Sequence, residues 1–471
     1  MIKKLFLLSV IASQLTISCS SDDSTDPEKD PVTEEPTKEP EKDPTLAEQI
    51  ALLVKQPYSA LTPAQQKIKL ETEANEMLAQ LDKSKSSSAI KAIENLHRLL
   101  VINPVDVFNG KNGNEIEDIL NVSDVYGIYT WNNSGKIWVK TASTSELKFI
   151  FPSKESETSN NAILSAKSVS STVKIKITDT NGSYVYDEKT DDYIHTKSVY
   201  DHVFLPSSSD AVLTINNAQA AVFAQTAKYS NGKQAPDEFA YKMTLNDGYV
   251  WEMSGKKSVE NIAKATLTYN NKILLDFNAG STTNIDGLID NDELKQYRGK
   301  GNGLFKLMDN FIIVADMDLA TAAKDEDALE KSVTYPSFPD YDTANANYPA
   351  YYAAQNKYYQ QYSQGVVTNF NKNIKLILVS KKDGTKIADV VQHSEKGYSY
   401  EVSLPTWIAY ENNKGGYWST SDNKTTLIQT YNEVDYLRFN DNTEVTVSAY
   451  FSIGFSDLKA KFEDFAKSFK K

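Results

Sequence analysis

The chain has 471 residues, 40% hydrophobic and 24% charged, which allows an ordinary globular core in about two or three domains or in one large β body. Its net charge of −13 and pI of about 5.0 argue against nucleic-acid binding, which needs a concentrated positive field. The single cysteine, Cys19, leaves no internal disulfide and no cysteine-based zinc site. Tyrosines (27) and phenylalanines (18) favour strands, because aromatic rings fit a half-buried pleated surface.

Lys3 and Lys4 precede an apolar run from Leu5 to Ala12, and polar and small residues lead on to Ser18-Cys19. That is the basic, apolar, cleavage-site order of a secretory signal, and the run is too short to span a bilayer as a mature helix. Leu15-Thr16-Ile17-Ser18-Cys19 resembles the lipobox of bacterial lipoproteins, with Thr16 where Leu is usual and Leu15 one place early. The resemblance implies a signal peptide over 1–18, acylation of Cys19 and an anchor in the outer membrane. Two or three acyl chains on one residue hold a protein where one chain does not. Ser20-Ser21-Asp22-Asp23 resembles the acidic export signal of Bacteroidota surface lipoproteins, which implies the cell surface, with the periplasmic face as the alternative. Asp23-Ser24-Thr25 and Asp342-Thr343-Ala344 resemble the O-glycan acceptor motif of the same bacteria, on Ser24 and Thr343.

Residues 19–44 read as the acylated cysteine and a disordered stalk. Asp22 to Asp43 carries ten acids against three lysines, and five of the chain's 15 prolines lie between Pro27 and Pro44. Such a segment buries too little to offset its ordering entropy, and its charges and prolines keep it extended.

A helical hairpin is expected over 45–110. Thr62-Pro63-Ala64-Gln65 is a capping-box start, and Ile90, Ile93, Leu96, Leu99 and Leu100 recur at helical spacing after Ser88. From 111 to 284 the period becomes two. Tyr126 to Trp131, Asn132-Asn133-Ser134-Gly135 and Lys136 to Lys140 make a hairpin, and Asn246-Asp247-Gly248 and Asn270-Asn271 mark further turns. The segment from Phe204-Leu205-Pro206 to Phe277, followed by Asn284-Ile285-Asp286-Gly287, resembles a type of Bacteroidota lipoprotein with a β-rich body.

Residues 285–365 read as helical and Tyr-rich: Leu304, Leu307, Met308, Phe311 and Ile312 follow helical spacing, as does Ala320 to Lys331, and a Tyr-rich loop comes after. A second β region over 366–471 carries strands at Ile374–Val379, Tyr398–Leu404 and Thr443–Phe451. A final helix begins at Ser456-Asp457, with Leu458, Phe462, Phe465 and Phe469 on one face. The expected fold class is α+β, mainly antiparallel β: a curved sheet or sandwich covered on one side by the helical hairpin and further helices.

No catalytic constellation stands out. His97, His195, His202 and His393 lack the spacing of a metal or catalytic motif, and no glycine loop or nucleophile elbow is present. Asp286, Asp290 and Asp292 are candidates for calcium, but Gly287 directly after the first acid does not fit the twelve-residue loop. No other cofactor is expected. The unusual stretch is Tyr335 to Tyr362, with eight tyrosines, and Tyr348, Tyr351, Tyr352, Tyr358 and Tyr359 are the candidate binding surface. The leading expectation is a non-enzymatic, lipid-anchored surface protein. It would bind a glycan or peptide ligand, or serve an outer-membrane barrel protein as an accessory subunit. A glycan-processing or other hydrolase, with carboxylates not recognisable from sequence, and a structural or adhesive surface protein are the alternatives.

Overall fold

The computed structural model describes residues 45–105, 123–179, 184–195, 199–230, 232–290, 298–308, 310–411 and 414–451. Cys19, the acidic stretch after it, Ser24, Asp292 and the expected final helix lie outside the described residues.

Three helices open the described chain. Thr45 caps α1 (Leu46–Val54) in a capping box with Glu48, and Thr62 caps α2 (Pro63–Asp82) in one with Gln65. Each box satisfies two amides that a helix start otherwise orphans. Ser87 caps α3 (Ser88–Ile102), whose buried face of Ile90, Leu96, Leu99 and Leu100 matches the spacing in the sequence.

Sixteen of the described strands that follow build one sheet, almost entirely antiparallel, in the order β2-β1-β3-β4-β7-β8-β9-β10-β11-β12-β13-β14-β15-β16-β19-β20, numbered along the chain. Its first part is β1 (Gly127–Asn132), β2 (Ile137–Thr141), β3 (Leu147–Phe151), β4 (Ala162–Asp179) and β7 (Val199–Ile215), with β5 (Tyr184–Asp187) and β6 (Asp192–His195) pairing apart. A meander continues through β8 (Ala218–Lys228), β9 (Glu238–Leu245), β10 (Tyr249–Lys256), β11 (Asn261–Tyr269) and β12 (Lys272–Ser281). Among the described strands, only the β1–β3 pair is parallel. The turns supply the meander's chemistry: Asn216-Asn217 and Asn270-Asn271 both sit at positive φ, the mirror-image two-residue turn that suits twisted strands.

Register explains where the core sits. Leu147, Ala166, Ala211, Phe223, Met243, Trp251, Leu267, Leu275, Leu307 and Phe311 are successive cross-strand partners, so one apolar row crosses ten strands on one face. The C-terminal part of α2 and the buried stripe of α3 pack into this face, where Leu96, Leu99 and Trp131 are almost completely buried. Truncating such a leucine costs about 2–5 kcal/mol, so the hairpin and the sheet hold each other.

After α4 (Ile285–Asp290), residues 300–318 form a hairpin, β13 (Lys300–Leu307) and β14 (Phe311–Asp318), where a helix was expected. The reason is two-sided burial. Leu304, Ile312 and Val314 face α1 through Ile50, while Phe311 and Leu378 face α2 through Leu70. A strand buried on both faces loses its alternation, and two such strands about Met308 (φ 53) imitate helical spacing. Helix cover therefore reaches both faces here.

The expected helix at 320–331 is present as α5 (Leu319–Ser332). The Tyr-rich stretch is not a loop: most of it lies in α6 (Tyr348–Asn373). Next come β15 (Ile374–Ser380), β16 (Thr385–Ser403), the small hairpin β17 (Thr406–Ala409) and β18 (Gly416–Ser419), and β19 (Thr425–Arg438). The strand expected at 443–451 is cut to β20 (Glu444–Thr446), because Thr446 caps the short α7 (Val447–Tyr450). No helix among the described residues is long and apolar enough to cross a membrane.

Candidate recognition surface

Helix α6 holds the Tyr-rich segment in place. The Asn347 side chain accepts from the Ala350 amide at 3.0 Å and Pro349 occupies the first turn, so the start is capped and φ-restrained. Further along, two asparagines bind strand backbones as a neighbouring strand would. Asn356 donates to the Leu427 carbonyl at 2.9 Å and accepts from the Gln429 amide at 2.7 Å. Asn371 donates to the Gln392 carbonyl at 2.9 Å and accepts from the Gln392 amide at 2.9 Å. These bonds fix the helix against β16 and β19 and satisfy backbone groups that have no strand partner there.

The rings then form one network from three parts of the chain. Phe338 packs on Tyr348 at 5.7 Å and on Tyr351 at 5.2 Å, and Tyr351 lies 5.1 Å from Tyr352. Tyr335 meets Tyr358 edge-on at 5.1 Å, and Tyr358 stacks on Tyr362, one turn along, at 5.4 Å. The β17–β18 hairpin adds Trp407 and Trp418, 5.5 Å apart, and Trp418 packs on Tyr348 at 4.8 Å while its indole donates to the Thr343 carbonyl at 3.1 Å. From β16, Tyr398 and Tyr400 stack at 5.8 Å with planes only 26° apart, and Tyr400 lies close enough to Tyr359 for the two phenols to interact electrostatically. Edge-to-face and offset pairs of this kind are worth about 0.5–1.5 kcal/mol each beyond area burial, so the inner rings are structural as well as displayed.

The five tyrosines chosen from sequence divide accordingly. Tyr348 is 5% exposed and spent on packing, whereas Tyr351, Tyr352, Tyr358 and Tyr359 are half-buried, with rims at the surface. The most open rings were missed: Phe338 (60% exposed), Tyr341 (67%) and Tyr398 (70%). Hydrogen bonding to Tyr351 and burial push the Tyr335 hydroxyl well above its ordinary pKa, and burial pushes up Tyr352 and Tyr400. These phenols therefore stay neutral, able to donate and accept without carrying charge.

The other candidates are less promising. The Asp286 carboxylate is taken by Lys233 at 2.6 Å and Lys257 at 2.7 Å, which hold its pKa below the usual carboxylate range. Two ammonium groups there oppose a cation, and no group of three or more His, Cys, Asp or Glu among the described residues could hold a metal ion. His393 is engaged with Glu444 at 2.6 Å and packs edge-on against the Tyr436 ring, whose hydroxyl donates to Glu395. Thr343 sits in an exposed turn, accessible as an acceptor would need to be.

One signal for α6 was in the sequence all along. Tyr348, Tyr351, Tyr352, Tyr358, Tyr359 and Tyr362 recur at helical spacing once tyrosine counts as the apolar residue. The partnership with Tyr398, Trp407 and Trp418 is long-range and has no local signature. No protein-family model, curated protein or solved structure matches the chain.

Proposed function

We propose that this is a lipid-anchored cell-surface protein that binds a ligand or partner through the aromatic end built by α6, β16 and the β17–β18 hairpin, without catalysing a reaction. The observation that carries the reading is the open aromatic patch on a braced scaffold. Phe338, Tyr341 and Tyr398 expose most of their surface while their neighbours are locked by ring contacts and by Asn356 and Asn371. Exposed aromatic surface on a rigid support is what interaction sites use, and rigid tyrosines give broad contact at low entropy cost. The address in residues 1–23, with Cys19 as the acylated residue, puts such a surface at the membrane on a long acidic spacer.

Two variants test the two halves separately. Cys19→Ala should abolish incorporation of labelled fatty acid and release the protein from membranes; continued labelling refutes the anchor. For recognition, the wild-type protein and a Phe338→Ala/Tyr398→Ala variant are isolated from intact cells, and what co-purifies is identified. Species retained by the wild type and lost from an equally stable variant support the reading. Identical co-purification from both refutes it.

A further inference from the structure

The aromatic end is unusual in charge as well as in ring content, and charge decides what class of ligand it can take. Residues 343–371 contain one charged side chain, Lys357, in a chain whose residues are 24% charged. Uncharged amides stand in their place. Gln360, Gln361 and Gln364 are exposed within a turn of Tyr358, Tyr359 and Tyr362. On β16, Tyr398 and Tyr400 stack with nearly parallel planes, so the outer face of the more exposed Tyr398 is the one left open, and Glu401 alternates to the opposite side of the strand. Asp340 and Asp342 lie at the margin, before the helix begins.

We infer that the ligand of this surface is a neutral carbohydrate chain, which rests on the reading of the aromatic end as a recognition surface. A sugar ring has no charge, offers C–H groups on its faces and carries hydroxyls around its rim. The first fits an electron-rich ring face such as the open Tyr398, and the second fits amides and phenols that both donate and accept. A polyanion meets one lysine on the helix, Lys357, while on β16 and around the β17–β18 hairpin Lys396, Lys414 and Lys424 alternate with Glu401, Glu411 and Asp422, so no concentrated positive field forms in a chain of net charge −13. A basic or acidic peptide would leave its charges without partners over the length of the helix, which costs affinity. An extended chain suits the layout, because the exposed rings come from separate segments, Phe338 and Tyr341 before the helix and Tyr398 and Tyr400 on β16, so a ligand that meets more than one must be long.

The test is affinity electrophoresis of the detergent-solubilised full chain in native gels. The gels contain a neutral β-glucan, a neutral xylan, a neutral mannan or, as the charged control, polygalacturonate. At least one neutral polysaccharide should retard the protein. Tyr398→Ala should weaken that retardation by about tenfold or more, the loss typical of an aromatic anchor. Tyr398→Phe should keep most of it, because the ring face is retained. Gln360→Ala/Gln361→Ala should weaken it by a smaller factor. Tyr398 is exposed, so each variant is expected to melt as the wild type does; a melting curve checks this, and Tyr398→Phe reads the same surface if alanine disturbs the fold. Retardation by polygalacturonate alone, by none of the four, or equally by wild type and Tyr398→Ala overturns the inference. If carbohydrate fails while Phe338→Ala/Tyr398→Ala still loses a co-purifying protein, the carbohydrate assignment falls and the recognition surface stands. If both fail, both readings fall together.

Discussion

At Gly365 the backbone of α6 lies against Leu329 of α5, and replacing the glycine sets two effects of opposite sign against each other. A Cβ on Gly365 would approach Leu329 Cδ2 to 2.8 Å and Cγ to 3.1 Å, well inside contact. Alanine in a helix interior is worth about 1 kcal/mol over glycine. Forcing a methyl into a packed contact costs about 1–3 kcal/mol. Here the half-buried Leu329 side chain can yield by leaving its rotamer, which costs of order 0.5–1.5 kcal/mol, or by a shift of α5. That movement is opposed by Asn369 bonding the Ala322 carbonyl at 2.8 Å, Asn373 bonding Asp325 at 2.7 Å and Lys372 paired with Asp325 at 2.7 Å. The clash should win, so Gly365→Ala loses up to about 2 kcal/mol. Leu329→Ala alone should lose about 1–2 kcal/mol of buried apolar surface. The double variant removes the clash and keeps the helix gain, so it should be more stable than Leu329→Ala by about 1 kcal/mol, giving a coupling energy of roughly 1–3 kcal/mol. A chain of this size need not unfold in two states, so amide hydrogen exchange in α5 and α6 is the proper readout. Slower exchange in Gly365→Ala, with additive effects in the double variant, would refute the close approach.

Asn371→Ala should orphan the Gln392 amide and carbonyl and speed exchange of the Gln392 amide by an amount equivalent to about 1–3 kcal/mol; Asn371→Asp, which keeps the acceptor and loses the donor, should fall between. Asp286 is held ionised by Lys233 and Lys257, so its folded pKa is depressed and its contribution is present above the unfolded value of about 4 and lost as pH falls below it. A melting difference between wild type and Asp286→Asn, worth less than about 1 kcal/mol at this part-exposed site, should be present at neutral pH and vanish in acid, and calcium should not change the wild-type melting temperature. Replacing Asp22 and Asp23 by alanine should protect the protein from external protease in intact cells, and a wild type already protected would put it in the periplasm.

The sequence alone determined the elements whose signals are local. The α2 capping box, the helical stripe of α3, the Asn132–Gly135 and Asn270-Asn271 turns and the mainly antiparallel character all follow from neighbouring residues, and register then aligns the apolar row by itself. The acylation and export expectations on Cys19 to Asp23 are equally local. What only the tertiary structure decided depends on contacts between distant segments. Leu304 to Ile312 became a hairpin because α1 and α2 bury its two faces, which erased the alternation that marks a strand. The Tyr-rich segment became a helix because tyrosine served as its apolar residue and strand backbones accepted its asparagines. Tyr348, chosen as a binding residue, turned inward because Trp418, seventy positions away, fills the space beside it. No local pattern could report that, since burial depends on which segment arrives opposite a residue and not on the residue itself.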